Sequence, residues 1–243
     1  MNMNSALFAL GTLLLGVVGI AFHDFALQWQ PVPAGIVART ALAYASAVLL
    51  IVAGGAILFR RYERSGALLL ASFYWLWMFV LNLPLAIKSF THIGAWNSPA
   101  EIAFLAAGGT ALVATSAGQL RGTLSLVARI VAGVCAIVFG LAHFNYAEFT
   151  ASMVPGWIPY KLFWAYATGA GHFAAGVAFV SGIRARLAAT LLAGMMGSFV
   201  VLLHIPRVIA QPEVHAEWIM LAVASSLAGS AWLLRKYVFD PGR

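Results

Sequence analysis

Apolar runs of about 20 residues recur along the chain, separated by short stretches where proline, glycine, tryptophan or charge collects. Eight runs are read, at about 5–25, 38–59, 66–87, 100–120, 127–147, 161–182, 187–208 and 215–235, each about long enough to cross roughly 30 Å of bilayer hydrocarbon as a helix. A backbone in lipid must satisfy its own hydrogen bonds, and no ten-residue alternating pattern of a barrel strand occurs. The pattern therefore predicts an all-α membrane protein with eight transmembrane helices. Composition agrees, because 63% hydrophobic and 9% charged residues, with a mean hydropathy of +0.92, exclude a soluble domain. The first run lacks a basic stretch before it and reads as a retained span, not a cleaved signal.

The net charge of +7 changes the picture only through its placement. With the N-terminus inside, the inner connections and helix ends hold Arg60, Arg61, Arg64, Arg121, Arg129, Arg184, Arg186, Arg235, Lys236 and Arg243. The outer side holds Arg39, Lys88, Lys161 and Arg207. This asymmetry predicts a bacterial-type cytoplasmic (inner) membrane protein with both termini cytoplasmic, and it makes the basic excess a topology signal instead of a nucleic-acid surface. Outside also fall Asp24, Glu101, Glu148, Glu213 and Glu217, with Trp29, Trp96, Trp157, Trp164 and Trp218 as an interfacial belt. Cys135 is the only cysteine, which excludes a thiol–disulfide relay within one chain.

Sliding the chain against itself by 122 residues reveals a duplication. Ala43-Tyr44-Ala45 falls on Ala165-Tyr166-Ala167, Ala53-Gly54 on Ala175-Gly176, Arg64 on Arg186 and Pro84 on Pro206; from 43 to 84, 13 of 42 positions are identical without a gap. Upstream, a one-residue slip pairs Gly19 with Gly140, and downstream Ala100-Glu101 pairs with Ala216-Glu217. Each half holds an even number of spans, so both enter the membrane in the same direction. The expectation is two parallel-repeat four-helix bundles, 1–122 and 123–243. The segments VLNLPLA (80–86) and LLHIPRV (202–208) then become equivalent ends of the third and seventh spans.

The motifs GLAHF (140–144), VPGWIP (154–159), AYATGAGHFAAGVAF (165–179) and LLHIPRV resemble the DoxX-like family of integral membrane proteins, well over about 125–235 and more faintly over the first half. The resemblance implies a four-helix bundle per unit. It also implies kinship with subunits of membrane oxidoreductases, thiosulfate:quinone oxidoreductase among them, although very many members have no assigned role. Many relatives carry a glutamate in the second helix before the glycine-spaced stretch; here His172 and Leu50 stand there, so no role of that acid carries over.

Ionisable residues inside a membrane tend to face a bundle interior or a wet cavity. By helix rise, His143, Tyr166 and His204 lie roughly 6–9 Å below the outer boundary, and His172 roughly 16 Å below it. These four are candidate ligand-binding residues of an outward-facing pocket, with Arg207, one turn beyond His204, drawing an anionic or carbonyl ligand to the mouth. The first half offers weaker counterparts in His23, Asp24, Tyr44 and Asn82. Against this stands a plainer reading: a histidine or asparagine before proline can simply hydrogen-bond the carbonyls that proline leaves unpaired. No compact metal-ligand spacing occurs, so no metal site is assigned, and haem would require His143 and His204 on opposed helices. Glu101, in Ser98-Pro99-Ala100-Glu101, reads as a capping box and Glu217 as a first-turn acid. The stretch VPGWIPYKLFW (154–164) is expected to lie over the His143/His204 layer.

Two functions follow. One is a redox-associated subunit that binds a quinone or another lipophilic small molecule, with electrons supplied by a partner because the chain has no cofactor motif. The other is a non-enzymatic membrane carrier, chaperone or assembly factor with no catalytic site. Partners in either case are the lipid bilayer and a redox or membrane protein, with no nucleic acid.

Overall fold

The computed structural model describes residues 3–240, and helices dominate it. In chain order they are α1 (Ala6–Ala21), α2 (Arg39–Leu58), α3 (Glu63–Leu76), α4 (Leu83–Lys88), α5 (Asn97–Ala114), α6 (Arg121–Asn145), α7 (Ala147–Met153), α8 (Lys161–Ser181), α9 (Ala185–Phe199), α10 (Ile205–Ala210) and α11 (His215–Leu233). A π-helical turn, Trp77–Asn82, joins α3 to α4 in one rod, and another, Val200–His204, joins α9 to α10. Both widened turns sit just before a proline, Pro84 or Pro206, whose ring removes an N–H and crowds the carbonyl four residues back.

Five rods are long and apolar enough to cross a membrane: Arg39–Leu58, Glu63–Lys88, Gly118–Asn145, Ala185–Ala210 and His215–Val238. Ala6–Ala21 is a shorter apolar helix, while α5 and α8 are rich in small and polar residues.

The rods pack as one ring. Each touches the next, α1 on α2, α2 on α3, α3 on α5, α5 on α6, α6 on α8, α8 on α9 and α9 on α11, and α11 closes the ring against α1. Helices α5 and α11 also meet each other across the middle. The halves are thus not two bundles each closed on itself, as the sequence suggested. The opening helix of each half rests on the last helix of the other. Small residues make this arrangement attainable: α5 and α11 are rich in alanine, glycine and serine, and 78% of an 18-residue stretch of the His215–Val238 span is buried, against 22–39% for the other four spans. At the tightest point a Cβ on Gly229 of α11 would collide with the backbone N and Cα of Phe8, 2.5 Å from the latter.

Candidate functional site

The two proline turns share a shape and differ in chemistry. Asn82 is buried, and its Nδ2 donates to the Trp77 carbonyl (3.1 Å), five residues back, and to the Trp29 carbonyl (3.2 Å). It satisfies carbonyls around the π-turn, the plainer of the two readings, and is a structural residue. His204 occupies the matching place, but its Nδ1 is buried with no hydrogen-bond partner.

His143 and His172 come together where α6 crosses α8. Their rings lie 5.0 Å apart, and Phe139 (5.5 Å) and Phe199 (6.2 Å) pack around the His172 ring. His143 Nδ1 lies 2.7 Å from the Phe139 carbonyl. A carbonyl can only accept, so Nδ1 carries the proton and Nε2 is left as an acceptor. His172 is 3% exposed, and its Nδ1 has no partner. A buried polar atom left unpaired costs about 1–3 kcal/mol, and among the described residues the second half carries three such imidazole nitrogens, on His172, His204 and His215.

Other expected members of the layer are elsewhere. Tyr166 is 48% exposed and stacks on Phe144 at 6.3 Å, on the outside of α8. Six residues at about 100° each put it about 120° around the helix from His172, so equal depth did not mean a shared face. Arg207 is not free to greet a ligand. Its Nε and Nη2 donate to the two carboxylate oxygens of buried Glu217, at 2.8 and 2.5 Å, and both groups act electrostatically on His204. In the segment 154–164, Trp157 is 72% and Tyr160 82% exposed.

In the first half, His23 adopts a left-handed backbone (φ 57°), its Nδ1 sits 2.5 Å from the Tyr44 hydroxyl, and Asp24 pairs with Arg39 at 2.5 Å. Beside them a cavity of about 10 Å³, room for about one water, is bounded by Asp24, Gln30, Ser46, Leu50 and His215. The His215 ring stacks on Phe22 at 4.4 Å, and its Nε2 is buried without a partner. His215 escaped the sequence reading because its neighbours belong to other helices. Glu101 makes no capping box: it accepts hydrogen bonds from Trp29 Nε1 and from Asn97 Nδ2 (3.2 Å), tying the α1–α2 connection to α5. Among the described residues no three histidine, cysteine or acidic side chains gather as a metal site.

Residues 124–205 match the DoxX family model. This is a DoxX segment. It contains His143, Tyr166, His172 and His204, and stops just before Arg207. No curated protein and no solved structure matches the chain. The DoxX match thus covers about a third of the chain, whose five longest apolar helices are long enough to cross a membrane.

Proposed function

We propose that the chain crosses a bacterial-type cytoplasmic membrane eight times, as two four-helix DoxX-like repeats with both termini cytoplasmic. We further propose that imidazoles of the second repeat hold the polar head of a lipophilic molecule, a quinone being the natural class. The cyclic helix order supports the repeat, because each contact in one half has a partner 116–122 residues along the chain, and both halves carry a π-turn before the equivalent proline. The observation that carries the ligand reading is the His143/His172 pair with the unpartnered His172 Nδ1. A quinone or quinol offers carbonyl or hydroxyl groups to such nitrogens, and His143 Nε2 is placed to accept a hydroxyl proton. Electrons would come from a partner protein.

Replacement by the residues that stand in the first half, His143→Phe (after Phe22) and His172→Leu (after Leu50), tests this with little change of volume. Quinone extracted from the protein purified in mild detergent is expected to fall at least about tenfold in each variant, the equivalent of about 1.4 kcal/mol. Unchanged quinone in both overturns the reading. The second reading, a non-enzymatic carrier or assembly factor, is favoured by the structural contacts that occupy Asn82 and Arg207, two of the expected site residues. A protein partner that co-purifies equally with wild type and both variants would support it.

A further inference from the structure

Between α8 and α9 the ring has a groove of about 230 Å³, lined by Gly171, Ala174 and Ala175 on α8 and by Ala188, Leu191 and Met195 on α9, with Arg184 at its end. The residues 122 positions earlier explain why it exists here. In the first half Leu49 and Val52 stand where Gly171 and Ala174 do. Gly66 stands where Ala188 does, and a Cβ on Gly66 would lie 2.7 Å from the Ala53 carbonyl oxygen. Helices α2 and α3 are therefore packed with no room for a methyl, whereas the Ala188 methyl holds α9 off α8 and the small residues facing it leave the space unfilled. An apolar groove on the lipid-facing side of a membrane protein is filled by an acyl chain, since hydrocarbon tails are as apolar as the groove itself.

The end of the groove says which lipid. Arg184, in the turn between the two helices, is exposed and pairs with no carboxylate among the described residues. Asp240 is already held by Arg186 (3.0 Å) and Arg235 (4.0 Å). An apolar slot that ends at an exposed guanidinium with no carboxylate partner among the described residues matches a phospholipid of net negative charge, tail in the slot and phosphate on Arg184. We propose that the α8–α9 groove is a binding site for one anionic phospholipid. This site is separate from the imidazole pair and does not depend on it.

The test is native mass spectrometry of the protein after exchange between bilayer nanodiscs of phosphatidylcholine and nanodiscs containing phosphatidylglycerol. Wild type is expected to retain one phosphatidylglycerol in preference to phosphatidylcholine. Arg184→Gln, a change in an exposed turn that leaves the packing intact, should lower that preference about fivefold, the equivalent of about 1 kcal/mol for one surface cation. The double variant Gly171→Leu/Ala174→Val, which restores the first-half residues, should lose the retained lipid while keeping its helical content. Equal retention of the two lipids by wild type overturns the proposal, as does an unaltered preference in Arg184→Gln. Retention of a polyprenyl lipid in the slot would also overturn it.

Discussion

Arg207→Leu is expected to destabilise the folded protein by about 2–4 kcal/mol, read as a fall in the thermal unfolding midpoint in detergent. The substitution puts the first-half residue, Leu85, into the second half, so the α10 backbone has no reason to object. What it leaves behind is the Glu217 carboxylate, 5% exposed at its side chain, without either of its two hydrogen bonds. Removing one partner of a fully buried pair costs about 3–5 kcal/mol, and the figure is reduced here because the Arg207 side chain keeps 36% of its exposure. The double variant Arg207→Leu/Glu217→Leu should recover most of the loss, since an apolar pair of similar size often replaces a buried ion pair at no net cost. A double variant no more stable than Arg207→Leu alone would show that the pair does not matter in this way.

Gly229→Ala should destabilise by about 2 kcal/mol or more. Alanine gains about 1 kcal/mol over glycine inside a helix, so the packing must decide the sign. The new methyl meets the Phe8 backbone, which cannot swing aside as a side chain would, and overpacking of this kind costs about 1–3 kcal/mol and more where nothing can give. Gly194 of α9 is the control, for a Cβ there meets nothing within 4 Å, and Gly194→Ala should be neutral or mildly stabilising. Similar midpoints for the two alanine variants would contradict the close crossing of α1 and α11.

Much of this helical layout was legible in the sequence because lipid demands it: the apolar runs bounded by proline, arginine and tryptophan fall on helices, five of them long and apolar enough to cross a membrane. How the rods close was not legible, since it depends on which small residues of α5 and α11 meet other helices, and periodicity within a helix carries no such information. The site divides along the same line. His143 and His172 were named from their depth and chemistry, and they do meet. Tyr166 was named from its depth and its hydroxyl, and it lies around the helix on another face. Arg207 found its partner ten residues away across a helix boundary, in an acid that local spacing had assigned to the start of α11. The same applies to His215 and to the groove beside Met195, each of which exists only once separate segments are brought together.

The way the ring closes has a consequence for any attempt to divide the chain. Severing it between Ala114 and Gly118 would give two fragments, each with its opening helix stripped of the mate it rests on. Co-expressed, the two pieces should reassemble, each supplying the other's missing wall. Produced alone, either would have to pair with a second copy of itself to cover the same face.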